Sequence, residues 1–300
     1  MYIIDKLSNR PYLYDELISE IEKAYEYEKK FSYEKDFYPL VKKDNWRNCH
    51  LLLEINSSSQ EVLIGHIGSL PRRICDKKNI YNCIFVGGIY IKKKYRGKGI
   101  FREMFSNFLS NMRTKYSYAL LWSEHLSLYQ SFGFKEVSDC RLRIFNSDTQ
   151  EELLDRGYEI LDQKNLNENI KNKIKSLYNL QILSKYIAPK REERDWSDLF
   201  LSRSIKLFIK KQHDEIIGYC LLGKGQDYQN IIHESAFNKQ YDEEYKYILN
   251  LSTIIYNAKI PISDSDILIP TALVLALKNE PDLINACSIK PLFISGADSI

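Results

Sequence analysis

Glycine is scarce in this chain, at 12 residues in 300, yet Gly87, Gly88, Gly97 and Gly99 all fall within one short stretch. No CxxC pair occurs. The six cysteines, at 49, 75, 83, 140, 220 and 287, and the five histidines are scattered without metal-ligand spacing. That pattern fits reduced thiols in a cytosol better than a zinc site or a disulfide framework, so no metal is expected. Long hydrophobic runs are missing too. The most apolar late segment, "ILIPTALVLALK" (267–278), has about a dozen residues where roughly 20 would span a bilayer. The opening "MYIIDKLSNRPY" carries too short an apolar run for a signal peptide. Charge of one sign is also lacking: 43 Lys and Arg against 40 Asp and Glu leave +3. Nucleic acid as the main partner would need a pronounced basic face. A soluble cytoplasmic protein with no nucleic-acid or membrane partner is expected.

What is present suffices for packed cores: 44% hydrophobic and 13% aromatic residues. "YLYDELISEIEKAYEYEKK" puts Leu13, Leu17, Ile21 and Ala24 on one helical face. "CHLLLEIN", "VLIGHIGSLP" and "NCIFVGGIYI" read as three strands, the first two joined by the polar "NSSSQE". An amphipathic helix follows in "IFREMFSNFLSNMRTKY", with Ile100, Met104, Phe105, Phe108 and Met112 inward. "YALLWSE" is a strand, "LSLYQSFGF" a short helix closed near Gly133, and "FKEVSDCRLRIF" a last strand. The alternation predicts an α/β protein with a mixed central sheet flanked by helices. Beyond about residue 150 the pattern partly restarts. "IKLFIKK" and "DEIIGYCLLGKG" resemble the earlier hairpin, with Gly218 in the place of Gly65; "YQNIIHESAF" resembles the third strand. Two tandem copies are expected, 1–150 and 151–300, joined near 146–157, the second degenerate because it has no glycine turn.

The stretch "YIKKKYRGKGIFREMF" places a strand, a glycine turn and a helix in succession, beside Lys92, Lys93, Lys94, Arg96 and Lys98. First-turn N–H groups of a helix lack intrahelical partners, and the helix dipole favours an anion there. The P-loop pattern fails, because no Ser or Thr follows "GK"; the Rossmann pattern fails at Arg102. The plain alternative is a basic, solvated hairpin, with Lys92 to Lys94 in water.

Arg96, Gly99 and Phe101 occupy the Arg-x-x-Gly-x-Gly/Ala pattern of the GCN5-related N-acetyltransferases, except that Phe101 replaces the small residue. "LSLYQSFGFKEV", about thirty residues on, resembles that family's second motif. With "RGKGIFREM" and "SEHLSLYQSFGF", the bulky Phe101 resembles the enhanced-intracellular-survival-type branch, whose members carry two fused acetyltransferase-like domains. The resemblance implies an N-acetyltransferase whose cosubstrate is acetyl-CoA and whose acceptor is an amine, on a small molecule or a peptide or protein. It implies that the main chain around Ile89, Tyr90 and Ile91 pairs with the pantetheine arm. The amides of Arg96, Gly97, Lys98, Gly99, Ile100 and Phe101 would hold the pyrophosphate. Tyr129 would protonate the leaving thiolate, a task that suits a phenol with an ordinary pKa near 10. Glu124 and His125 are the candidate bases, with His66 and Glu54 weaker. In that branch the C-terminal carboxylate can serve as base after a further lipid-carrier-like domain; that domain is expected to be absent or severely shortened here, so the role is not carried over to Ile300. A second reading on the same fold is a non-catalytic acyl-CoA-binding or scaffold protein. Around the first helix, Tyr27, Phe31, Tyr33, Phe37, Tyr38 and Trp46 are candidate cation–π partners for an amine, and Glu26, Glu28, Glu34 and Asp36 candidate acids. His233 and Glu234, with Asp264 or Asp266, lack metal-ligand spacing and read as structural.

Overall fold

The computed structural model describes residues 2–161, 165–256, 260, 262–263, 266–278 and 282–299. The chain begins with β1 (Tyr2–Lys6), α1 (Tyr14–Ala24) and the one-turn helices α2 (Tyr33–Asp36) and α3 (Tyr38–Val41). Next come β2 (Cys49–Ile55), β3 (Glu61–Cys75), β4 (Ile80–Ile91), α4 (Ile100–Arg113), β5 (Tyr118–Leu121), α5 (Leu126–Gln130) and β6 (Lys135–Arg143). The later part contains α6 (Thr149–Asp155), β7 (Tyr158–Ile160), α7 (Glu168–Tyr178), β8 (Ala188–Pro189), α8 (Glu193–Leu201), β9 (Lys206–Gln212) and β10 (Glu215–Leu222). It closes with β11 (Ile232–Phe237), α9 (Asp242–Ile248), β12 (Thr253–Ile255), β13 (Asp266–Ala276) and α10 (Leu283–Ile289).

Local pattern accounts for most of these elements. Leu17 and Ile21 of α1 are buried, as their four-residue spacing requires. Ile100, Met104, Phe105, Phe108 and Met112 of α4 all enter one core against the sheet. The helix ahead of Gly133 stops at Gln130, and Gly133 takes φ 92° in the turn that follows. The edge strand β1 has no counterpart among the strands read from sequence. It is short, only half-buried, and takes its hydrogen bonds from β2.

The strands form one mixed sheet in the order β1-β2-β3-β4-β5-β13-β6-β12-β11-β10-β9-β7, with β8 set against β3. Most of the apolar segment at 267–278 forms β13, which lies between two strands of the first half. Leu273 pairs with Leu121 of β5, and Ile269 with Cys140 of β6. On its other edge β6 pairs with β12 of the second half, Thr253 opposite Arg143. The hydrogen-bonded sheet thus runs straight through the 146–157 junction. Arg143 clamps the start of β13, with Nε 2.6 Å and Nη2 3.0 Å from the Asp266 carboxylate, and Arg141 Nη1 adds a contact at 3.2 Å. Hydrogen bonding to Arg143 holds the Asp266 carboxyl below the usual range.

The two halves share one packing device. Gly65 pairs with Ile91, the last residue of β4, and Gly218 with Phe237, the last residue of β11. A Cβ on Gly65 would come within 2.5 Å of Ile91 Cδ1, and one on Gly218 within 2.0 Å of Phe237 Cδ1. Both glycines make room for a large side chain on the neighbouring strand.

Candidate functional site

β4 and β5 run parallel and pair from Cys83–Tyr118 to Phe85–Leu120. β5 then ends at Leu121 while β4 continues to Ile91, so the two strands part and the main chain of Ile89 and Ile91 faces an opening. Gly88 bends β4 at this place with φ 58°, and a Cβ there would lie 2.5 Å from the Tyr33 hydroxyl. Only glycine satisfies both conditions. A cleft of about 1030 Å³ fills the opening.

Most of the residues singled out in the sequence meet at this cleft. Ile89, Tyr90, Ile91, Arg96, Gly97, Gly99, Ile100, Phe101, Glu124, His125 and Tyr129 all line it. Lys98 does not; its ammonium lies over the Tyr95 ring, 5.6 Å from the centroid. Tyr90 lines it by its backbone flank, since its side chain is buried in the cluster with Leu7, Leu17 and Ile21.

At the turn, Gly97 and Gly99 take φ 75° and 77°, and no side chain caps the first turn of α4. Its N–H groups are thereby left to a ligand or to water. Arg96 is tethered, Nε donating to the Ile91 carbonyl at 2.9 Å. Lys92 departs from the expected solvated state: its ammonium lies 3.1 Å from Glu16 and 3.5 Å from Glu20 of α1, which ties the turn to that helix. Lys93 and Lys94 are exposed.

Tyr129, on α5, is 6% exposed. Its ring meets Phe101, Phe105 and Phe134 edge-on, at 6.2, 5.6 and 6.0 Å. Burial among them pushes the phenol up to about 12. Phe101, which replaces the small residue of the motif, also stacks on Phe105 at 5.3 Å and so forms part of the wall that positions Tyr129. Glu124 and His125 are exposed on the loop before α5.

The weaker base candidates are placed elsewhere. His66 is fully buried; burial brings its imidazole down to about 4, and Nδ1 donates to the Gly88 carbonyl at 2.7 Å. Glu54 accepts the Tyr95 hydroxyl. His233 bonds Ser295 and Gly223, and Glu234 forms a buried ion pair with Arg191, whose guanidinium also grips Asp298. Asp264 and Ile300 lie outside the described residues. Among the described residues no group of three or more His, Cys, Asp or Glu is arranged to hold a metal, and no helix is long and apolar enough to cross a membrane. The six cysteines are unpaired.

Of the aromatic residues around the first helix, Tyr27, Tyr33 and Phe37 line the cleft, whereas Phe31, Tyr38 and Trp46 do not. Trp46 donates to the Val41 carbonyl and packs on Tyr14. None of Glu26, Glu28, Glu34 and Asp36 lines it. Sequence reasoning missed Tyr25, whose hydroxyl donates to the Ile89 carbonyl at 3.0 Å. The second half was expected to line the cleft, but sequence reasoning named none of the residues that do so: Asp227 and Tyr228 on the loop between β10 and β11, Ile254 and Tyr256, and Ser299. No local pattern marks these positions, because they reach the cleft only through the pairing of β6, β12 and β13.

Residues 11–137 match the family model of the acetyltransferase (GNAT) domain, and this part of the chain is similar to that family. Solved structures share the fold along nearly its whole length. A probable N-acyltransferase from Enterococcus faecalis V583 aligns with TM-score 0.63 and 14% identity, over 92% of this chain and 72% of that one. A GCN5-related N-acetyltransferase from Anabaena variabilis aligns at 0.61 and 12%, over 93% and 73%. Eis1 from Mycobacterium abscessus aligns at 0.56 and 13%, over 92% and 74%. At such identities the likeness is one of fold. No curated protein matches.

Proposed function

We propose that the protein is an acetyl-CoA-dependent N-acetyltransferase acting on a primary amine by direct attack on the thioester. One observation carries this reading: the parted strands, the uncapped first turn of α4 and the buried Tyr129 all open onto one cleft. The main chain of Ile89 and Ile91 would hold the pantetheine arm as an added strand, with the Tyr25 hydroxyl releasing or sharing the Ile89 carbonyl. The first-turn amides near Gly97, Gly99, Ile100 and Phe101 would hold the pyrophosphate, a role favoured by the helix dipole. The thioester supplies the acetyl group, and CoA leaves as a thiolate when the C–S bond breaks. Tyr129 would protonate that thiolate. With its phenol near 12, it keeps its proton throughout the neutral range. The buried cysteines are pushed up by burial, Cys140 to about 11 and Cys49 to about 12, which disfavours a thiolate nucleophile and a covalent enzyme intermediate.

Titrating the protein with acetyl-CoA and a panel of primary amines should release free thiol, and calorimetry should detect acetyl-CoA binding. Absence of acetyl-CoA binding would end this reading. Glu124 and His125 are exposed and form no side-chain hydrogen bond among the described residues, which favours the second reading, a non-catalytic acyl-CoA binder. The two differ in turnover: the enzyme releases thiol in proportion to amine, the binder releases none.

A further inference from the structure

Glu124 and Asp227 are the acidic side chains on the cleft wall. Glu124 is on the loop before the helix that carries Tyr129; Asp227 comes from the loop joining β10 and β11 in the second half. Its carboxylate enters no hydrogen bond or ion pair among the described residues and is open to the cleft. Two hydroxyls that line the same cleft, within its electrostatic reach, also lack partners. Tyr27 Oη and Tyr33 Oη are both buried and unbonded, and Tyr33 is only 2% exposed. Buried hydroxyls without a hydrogen bond are costly unless something visits them. Tyr27 and Tyr33 meet edge-on at 5.9 Å, and Tyr25 stacks on Tyr33 at 6.3 Å, so the corner is walled by aromatic faces. The nearest cation, Lys224, is already occupied: its ammonium donates to the Ser299 carbonyl at 2.6 Å and lies over the Phe37 ring. The corner therefore offers a free carboxylate, two free hydroxyl oxygens and π faces, and no free cation among the described residues. An ammonium group has three N–H donors and is attracted to aromatic faces, which matches that set.

We propose that Asp227 binds the acceptor's primary ammonium, with the hydroxyl oxygens of Tyr27 and Tyr33 accepting its other N–H bonds, and takes the proton that must leave before the nitrogen attacks. The acceptor is thus a cationic primary amine with an aromatic or methylene flank rather than an anionic molecule. This rests on the acetyltransfer reading above. Two protons leave the nitrogen overall. The first passes to Asp227 and from there to solvent. The C–N bond then forms, the C–S bond breaks, and the second proton balances the one that Tyr129 gives to the thiolate. Groups facing Asp227 shape its charge: burial raises its carboxyl above the usual range, while Lys224 on the same loop pulls it back. Tyr25, Tyr27 and Tyr33 across the cleft, together with Tyr228 and Asp36, are all within its electrostatic reach. Ionised carboxylate is the working form, so kcat/KM should fall as pH drops through a value above that of an ordinary aspartate. Asp227→Asn should remove that limb.

The test uses 2-phenylethylamine and its anionic counterpart 3-phenylpropionate, titrated by calorimetry into protein saturated with CoA. Wild type should bind the amine and not the acid. Asp227→Asn should weaken amine binding by about tenfold or more. It should also lower thiol release from acetyl-CoA by about 100-fold while leaving acetyl-CoA affinity unchanged. Tyr33→Phe, which keeps the ring packing and deletes one acceptor, should weaken the amine by severalfold, and Asp227→Glu should restore part of the binding. Equal amine affinity in wild type and Asp227→Asn, no amine binding by wild type, or tighter binding of the acid would each overturn the proposal. Failure of wild type to bind acetyl-CoA would instead strike the acetyltransfer reading, and amine binding would still judge Asp227.

Discussion

The turn after β4 and the turn after β11 occupy the same place in the two halves and have opposite chemistry. After β4 come two glycines with positive φ, an uncapped helix start and a 14-residue helix whose first turn holds one acid, Glu103. After β11 come Lys239–Tyr241, none of them glycine, and a seven-residue helix with Asp242, Glu243 and Glu244 in its first turn. Three carboxylates at a helix N-terminus satisfy the dipole from within and repel a phosphate. The space differs as well. The cleft beside β4 holds about 1030 Å³, whereas the pocket beside β11 holds about 130 Å³. Tyr256 and Tyr186 pack on Phe293 there, with ring centroids 4.3 and 5.5 Å away. The space beside β11 is largely filled by side chains, and the second half contributes a wall to the cleft beside β4.

The sharpest way to break the contrast is at Tyr129, which has no acidic role to lose if the first half is as inert as the second. Tyr129→Phe should lower kcat by about 100-fold or more, with acetyl-CoA affinity unchanged by calorimetry. Next in size is the turn. Gly99→Val forces a β-branched residue into φ 77°, a strain of about 1–3 kcal/mol. Acetyl-CoA affinity should drop about tenfold to a hundredfold, whereas Lys239→Val after β11 should leave it within about twofold.

Acid stability compares the halves differently, since each buries a neutral histidine. Burial lowers His66 to about 4 and His233 to about 3, against roughly 6.5 in the unfolded chain. Below pH 6.5 the unfolded state takes up protons that the native rings refuse, so the stability they contribute declines as pH falls toward 4 for His66 and 3 for His233. The full effect is about 3–5 kcal/mol per ring. Denaturant unfolding at pH 7 and pH 5 should show the loss, and His66→Gln should reduce the pH slope by about one proton. The smallest effect belongs to the exposed lysines. Lys93→Gln with Lys94→Gln should change acetyl-CoA affinity by less than about threefold, an effect that shrinks further with added salt.

Much of the first half was legible because its signals are local. Four-residue spacing set the inward faces of α1 and α4, and two-residue alternation with glycine and polar breaks marked β2, β3 and β4. The turn at Gly97 and Gly99, with Tyr129 about thirty residues on, named the site, and the structure brings these residues to one cleft. Phe101 drew attention as a departure from the motif and proves to be packing for Tyr129. Lys92 read as solvated because nothing nearby in sequence announces its partners on α1.

By itself the sequence determined most elements of the first half, the glycine turn ahead of α4 and the lack of such a turn after β11. These depend on φ, on periodicity and on the residues within one helical turn. Tertiary structure alone decided that β13, more than a hundred residues downstream, lies between β5 and β6 and joins the two halves into one sheet. It decided, too, that Asp227 lines the same cleft as Tyr27 and Tyr33. Strand pairing is specified by complementary edges and buried faces distant in the chain, and a single sequence does not say which edges will meet.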